Sequence, residues 1–122
     1  MDQGSHIILC VDDEPNSLIL RKLVLERAGF KVLTAGSAIQ AMELLSTTPV
    51  DLVLSDQLMP GVTGTELARK VKAAHPQLPV ILISGVNEMP PDANDADLFM
   101  SKMEGPVAMC EKISAVLSRS QQ

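Results

Sequence analysis

Short apolar runs alternate with amphipathic segments along most of the chain, and this alternation limits the fold more than any other feature of the sequence. The apolar runs predict five strands, over residues 7–11, 30–35, 52–55, 79–83 and 97–101. Helical spacing predicts helices from Pro15 to Gly29, from Ser37 to Pro49, over 65–74 and over 107–117. Runs that are apolar throughout are typical of strands buried on both faces of a parallel sheet. The sequence therefore predicts an α/β fold, a doubly wound five-stranded parallel sheet with helices on both faces and right-handed crossovers.

The spacing of apolar residues also predicts which side of each helix faces the sheet. These inward residues are Leu18, Ile19, Leu20, Leu23 and Val24 in the first helix, Ile39, Met42 and Leu45 in the second, Leu67 and Val71 in the third, and Ile113, Val116 and Leu117 in the last. Between residues 86 and 96 the pattern weakens, since Pro90 and Pro91 interrupt it. We therefore expect a shortened or irregular fourth helix of at most two turns there.

Composition excludes several classes of protein. The 122 residues suffice for one domain, and 46% hydrophobic with only 2% aromatic residues indicates an aliphatic core. A net charge of −5 without a Lys/Arg cluster argues against direct nucleic-acid binding. No apolar stretch approaches the roughly 20 residues that span a membrane. Cys10 and Cys110 lack metal-ligand spacing, so we expect reduced core residues in a cytoplasmic protein.

The same patterns predict the limits of the domain. We expect residues 1–5 to be disordered or an expression remnant, and residues 6–118 to form the domain. Residues 119–122 are predicted to be a polar tail or the start of a linker.

Polar side chains collect where the predicted strands end. Asp12 and Asp13 follow the first strand, Asp56 the third, Ser84 the fourth and Lys102 the fifth. In open parallel sheets this edge binds ligands beside the topological switch point. Three carboxylates in one space repel one another unless they share a cation, and Mg²⁺ favours such oxygen ligands. The sequence therefore predicts a magnesium site at this edge.

With a metal present, the cluster suits phosphoryl transfer. Asp56 would attack the phosphoryl group as a nucleophile, while the Lys102 ammonium and the Ser84 hydroxyl meet the charge on its oxygens. The expected product is an aspartyl phosphate.

Four motifs, in this order, give the chain a family resemblance from Ile7 to about Leu117. They are Val11-Asp12-Asp13-Glu14-Pro15, Asp51-Leu52-Val53-Leu54-Ser55-Asp56 with Met59-Pro60-Gly61, Ile83-Ser84-Gly85, and Phe99-Met100-Ser101-Lys102. The sequence resembles a response-regulator receiver domain of two-component signalling. The resemblance implies a flavodoxin-like sheet of order 2-1-3-4-5.

The resemblance also implies a role for each site residue. Asp56 matches the phosphoacceptor, and Mg²⁺ would be bound by Asp13, Asp56 and the Leu58 backbone carbonyl, with Asp12 contacting it through water. The implied phosphoryl-binding groups are Ser84 and Lys102, and Phe99 matches an aromatic switch residue that turns inward as Ser84 moves.

Partners follow from the same resemblance. The phosphoryl donor would be a histidine kinase or a His-containing phosphotransfer protein, and the output would be a partner protein or an attached domain. A weak homodimer stays open. The resemblance implies a signalling domain rather than a turnover enzyme.

Three positions depart from the family pattern. Met103 follows Lys102 where the family usually has a proline, and Gly85 replaces the more usual alanine. Lys102 lies 18 positions after Ser84, about one helical turn fewer than usual. We therefore expect intact chemistry with an altered output surface.

Two rival functions remain on the same fold. The chain could be a constitutive interaction module with a vestigial phosphorylation site, or a small Mg²⁺-dependent phosphohydrolase that forms an aspartyl phosphate as an intermediate. The hydrolase would need a positioned general acid-base and a substrate pocket, and the sequence indicates neither.

Overall fold

A computed structural model of the chain describes residues 6–85 and 96–120. Five strands and four helices lie in these residues: β1 Ile7–Val11, α1 Pro15–Arg27, β2 Lys31–Ala35, α2 Ala38–Thr47, β3 Leu52–Asp56, α3 Gly64–Ala74, β4 Val80–Ser84, β5 Leu98–Ser101 and α4 Pro106–Ser120. All five predicted strands are present, each within one or two residues of its predicted limits. The irregular helix predicted between β4 and β5 lies outside the described residues.

The sheet is parallel throughout, with strand order β2-β1-β3-β4-β5. This order confirms the architecture that the resemblance implied. From β1 the chain moves to one side to form β2, and then crosses back to place β3 on the other side. The topological switch point therefore lies between β1 and β3, where a crevice opens at the carboxyl ends of the strands.

Two apolar cores cover the two faces of the sheet. Ile8 and Cys10 of β1 point into the core beneath α1 and α4, whereas Leu9 and Val11 point into the core beneath α2 and α3. All four side chains are fully buried, as strand alternation between two covered faces requires. Burial on both faces is the reason that the strand sequences are apolar throughout.

The inward faces predicted for α3 and α4 are confirmed. Leu67 and Val71 of α3 are fully buried, and Ile113, Val116 and Leu117 of α4 are at most 4% exposed. Thr63 caps α3 in a capping box with Glu66, which fixes where this helix begins.

The face predicted for α1 is wrong in part. Ile19, Leu20 and Leu23 are 58%, 64% and 51% exposed, whereas Leu25 is fully buried. Leu18 and Val24 are partly buried, as predicted. Leu18 and Leu25 are seven residues apart and so lie on one stripe of the helix, while the apolar run around Ile19 turns away from it.

The face predicted for α2 needs a similar correction. Ile39 is 73% exposed, while Ala38, Ala41 and Leu45 contact the core. These three residues follow the spacing i, i+3, i+7 that one helical face requires. The prediction gave weight to the size of Ile39 and missed the two alanines.

The last helix is longer than its apolar pattern. α4 continues to Ser120, three residues beyond Leu117, because Ser118 and Arg119 contain no helix breaker and Arg119 suits the negative end of the helix dipole. None of the helices in residues 6–85 and 96–120 is long and apolar enough to cross a membrane.

Candidate functional site

Three carboxylates meet at the switch point of the sheet. Asp12, Asp13 and Asp56 each contribute one carboxylate oxygen, and these three oxygens lie within 4.8 Å of one another. Asp12 directly follows β1 and Asp56 ends β3, so the pairing of these two strands brings them together. Asp12 and Asp56 are buried, whereas Asp13 is exposed. Acidic oxygens grouped in this way could hold a divalent cation such as Mg²⁺.

Asp12 uses both of its carboxylate oxygens. Its Oδ1 accepts a hydrogen bond of 3.0 Å from the backbone N–H of Glu14, and its Oδ2 accepts one of 2.8 Å from Nη1 of Arg21. The side chains of Arg21 and Asp12 are only 13% and 3% exposed. Asp12 is therefore held in a largely buried ion pair.

Sequence reasoning did not anticipate Arg21. It lies on α1 between Leu18 and Leu25 on the inward stripe, three residues after the first and four before the second. A guanidinium on a buried helix face requires an acidic partner, since an unpaired buried charge is strongly unfavourable. The apolar pattern of α1 predicted a different inward face, so the pairing with Asp12 became evident only from the packing of this helix.

Lys102 reaches Asp56 from the turn after β5. Its Nζ lies 3.1 Å from Asp56 Oδ1, and the two side chains are 43% and 5% exposed. This is an ion-pair distance. Apart from this ammonium, Oδ1 is a buried oxygen without a hydrogen-bond donor in the described part of the chain. Such an oxygen is available to bind a cation or a reacting group.

The environment of Asp56 works against its ionised form. Burial raises the pKa of the Asp56 carboxyl above 3.8, and the charge of Asp12 raises it further. Lys102 opposes this rise at close range, and the more distant charge of Arg21 also lowers the pKa. A carboxylate that is buried beside another acid is a site that an added cation would stabilise.

Side-chain hydrogen bonds hold the turn that carries Lys102. The backbone N–H of Met103 donates to Ser101 Oγ at 3.0 Å, and the backbone N–H of Ser101 donates to Glu104 Oε2 at 2.9 Å. The other oxygen of Glu104 accepts from the Lys112 ammonium on α4, and this bond lowers the pKa of Glu104. The turn is thus fixed at a position where the family usually has proline.

The remaining predicted residues lie around the same edge. Ser84 is buried at the end of β4, one residue beyond Ile83, which pairs with Asp56. Phe99 lies in β5 and is partly buried against the core beneath α2 and α3. Leu58 follows Asp56 by two residues, and its side chain is 51% exposed. Their predicted roles remain predictions.

The loop after β3 packs tightly on the backbone of Asp56. A Cβ on Gly64 would lie 2.6 Å from the Asp56 carbonyl oxygen and 2.9 Å from Gln57 Cα. The Gly64 N–H donates to the Gln57 carbonyl at 2.8 Å, and the Thr65 hydroxyl donates to Gln57 Oε1 at 2.9 Å. The absence of a side chain at Gly64 therefore allows this close approach to the backbone of Asp56 and Gln57.

A family model of the response regulator receiver domain matches residues 8–114 of the sequence. The chain belongs to this family. The match covers all four motifs and all five strands except Ile7, the first residue of β1.

Similar receiver domains occur in proteins of different length and kind. It is 34% identical to the response regulator GtcR of Aneurinibacillus migulanus, over 95% of this chain and 49% of that protein. The response regulator TrrA of Thermotoga maritima, solved in complex with Mg²⁺ and BeF, is 29% identical with a TM-score of 0.86, over 91% of this chain and 98% of that one. A receiver domain of a histidine kinase from Syntrophus aciditrophicus is 30% identical with a TM-score of 0.84, over 93% and 91%. The receiver spans about half of GtcR, so similarity alone does not determine its output.

Proposed function

We propose that this receiver accepts a phosphoryl group on Asp56 from a histidine kinase or a His-containing phosphotransfer protein. The observation that carries the proposal is the buried Oδ1 of Asp56, which lies beside the Lys102 ammonium and has no other hydrogen-bond donor in the described residues. Two further carboxylates lie within 4.8 Å of this carboxylate. Family membership supports the same conclusion.

The transfer is a displacement at phosphorus. A carboxylate oxygen of Asp56 attacks the phosphorus of a phosphohistidine, forming an O–P bond as the P–N bond breaks, and the electron pair stays on the imidazole nitrogen. Lys102, whose Nζ lies 3.1 Å from Asp56 Oδ1, offers positive charge to the phosphoryl oxygens. The Ser84 hydroxyl, at the end of the neighbouring strand, is our proposed hydrogen-bond donor to the same oxygens.

The donor set fits Mg²⁺. We propose that Asp13, Asp56 and the Leu58 carbonyl bind it, with Asp12 contacting it through water. When bound, Mg²⁺ supplies positive charge to the phosphoryl oxygens. The solved complex of TrrA with Mg²⁺ and BeF supports this assignment, as does the preference of Mg²⁺ for one or two carboxylates together with a phosphate oxygen.

Phosphorylation would act on a partner through the surface around β4 and β5. The phosphoryl group brings a charge of about −1.5 to −2 and three acceptor oxygens. We propose that Ser84 moves toward it and that Phe99 turns inward. Reversing a 1:99 population requires about 5.5 kcal/mol of differential stabilisation, which several charge-assisted hydrogen bonds can supply. An output partner or an attached domain would read this change.

Labelling with a small phosphodonor tests the proposal. Incubation with acetyl phosphate and Mg²⁺ should add one phosphoryl group, removable by hydroxylamine, to the wild-type chain and to the control Glu111→Gln. The variant Asp56→Asn should remain unlabelled in intact-mass spectra. Continued labelling of Asp56→Asn would contradict the assignment of the acceptor. A wild type with neither labelling nor a Mg²⁺-linked rise in thermal stability would favour a constitutive interaction module.

A further inference from the structure

The ion pair between Arg21 and Asp12 places a permanent positive charge inside the acidic site. Nη1 of Arg21 lies 2.8 Å from Asp12 Oδ2, and both side chains are largely buried. Asp12 is one of the three carboxylates that lie within 4.8 Å of one another. A cation on the protein and a cation from solution would therefore interact with the same group of oxygens.

We propose that Arg21 is a built-in counterion of the acidic site, which neutralises Asp12 in the absence of metal and weakens Mg²⁺ binding at Asp13 and Asp56. The inference rests on the proposed function, because it takes Mg²⁺ as the cation of this site. In this proposal Arg21 sets the affinity for Mg²⁺ and does not contact the phosphoryl group.

The charge balance supports this role. Three carboxylates face two protein cations, Lys102 and Arg21, which leaves a net charge of −1 when all are ionised. Replacing Arg21 by a neutral residue would leave −2, and a more negative site attracts a divalent cation more strongly.

Asp12 keeps its place without Arg21. The backbone N–H of Glu14 donates a hydrogen bond of 3.0 Å to Asp12 Oδ1, the oxygen that does not contact Arg21. Asp12 also directly follows β1, and its own N–H donates a hydrogen bond of 3.1 Å to the Ala35 carbonyl. Removing Arg21 therefore frees Asp12 Oδ2 and leaves the backbone position of the carboxylate held.

Calorimetric titration of the full chain with Mg²⁺ at low ionic strength tests the inference. Lys22→Met is the matched control, because it removes the same charge from the next residue of α1, where the side chain is exposed. We expect Arg21→Met to bind Mg²⁺ on the order of tenfold more tightly than wild type, equivalent to about 1.4 kcal/mol. Lys22→Met and the charge-conserving Arg21→Lys should remain within about twofold of wild type, since surface charges are screened and lysine keeps the cation.

Thermal unfolding with and without Mg²⁺ gives a second measurement that does not depend on phosphorylation. The rise in Tm on adding Mg²⁺ should be larger for Arg21→Met than for Lys22→Met, and Arg21→Gln serves if Arg21→Met does not fold. Equal or weaker Mg²⁺ binding by Arg21→Met, with normal binding by wild type, would overturn the inference and leave the proposed function standing. An absence of Mg²⁺ binding in wild type and all variants would instead contradict the proposed function itself.

Discussion

Lys102 Nζ lies 3.1 Å from Asp56 Oδ1 although β4 separates the two strands from which these residues come. The side chain of Lys102 is 43% exposed, whereas that of Asp56 is 5% exposed. The buried Asp56 carboxylate therefore has its counter-charge at the solvent side of the site.

The pH dependence of stability should reveal the burial of Asp56. Burial raises its pKa above 3.8, so the folded state binds this proton more tightly than the unfolded state. This preference stabilises the folded state fully below pH 3.8, and the stabilisation is lost as pH rises through the raised pKa of Asp56. Without Mg²⁺, Asp56→Asn should therefore have a higher Tm than wild type near neutral pH, and the difference should shrink as pH falls toward 3.8.

Asp97→Asn supplies the contrast for that measurement. The Asp97 carboxylate accepts a hydrogen bond from the Val80 N–H at 2.7 Å and pairs with Lys72 at 2.8 Å. Because its ionised form has partners, this substitution should lower Tm near neutral pH. An Asp56→Asn chain that is less stable than wild type near neutral pH would show that the Lys102 ion pair outweighs burial.

Removing the charge of Glu104 should slow phosphorylation without unfolding the protein. Glu104 links the Ser101 N–H to Lys112 and so holds the turn that carries Lys102. We expect Glu104→Gln to lower the labelling rate by roughly threefold to tenfold, less than the 100-fold that a 1 Å misplacement can produce. Labelling time courses with acetyl phosphate measure the rate, and Glu111→Gln on α4, where the side chain is exposed, is the control. Equal rates in the two variants would show that the link does not position Lys102.

A methyl group at Gly64 should disturb Asp56, the proposed phosphoacceptor. Its Cβ would lie 2.6 Å from the Asp56 carbonyl oxygen, a backbone atom that cannot move aside cheaply. We expect Gly64→Ala to destabilise the fold by about 1–3 kcal/mol and to reduce labelling of Asp56. Gly105→Ala is the control, since no atom lies within 4 Å of its added Cβ. Urea unfolding measures the difference, and equal stability of both variants would contradict the close packing.

Two leucines of α1 test which face of this helix packs on the sheet. Leu25 is fully buried and Leu20 is 64% exposed. Leu25→Ala should reduce the free energy of unfolding by about 2–5 kcal/mol, whereas Leu20→Ala should change it by less than about 0.5 kcal/mol. Comparable losses of unfolding free energy in the two variants, measured by urea unfolding, would support the broader inward face that the apolar run predicts.

Local patterns were sufficient for the strands and for the acids at their ends. A strand such as β1 is buried on both faces, so its whole sequence is apolar, and its end is marked by Asp12 and Asp13. The same reasoning predicted Asp56 at the end of β3. Parallel strands place their carboxyl ends at one edge, which is why residues from separate motifs could be assigned to one site. The strand order itself came from the family resemblance, since periodicity does not specify which strands are neighbours.

The sequence by itself determined the alternation of strands and helices and the α/β class, because these follow from burial along short segments. It also determined the acids at the strand ends, because the apolar runs of β1 and β3 each lead to a carboxylate. The tertiary structure alone decided which face of α1 is inward, the pairing of Arg21 with Asp12 and the link from Glu104 to Lys112. Each of these depends on where one element lies against another. A long charged side chain has many possible partners along the chain, and only the packing of α1 and α4 on the sheet selects the one within reach.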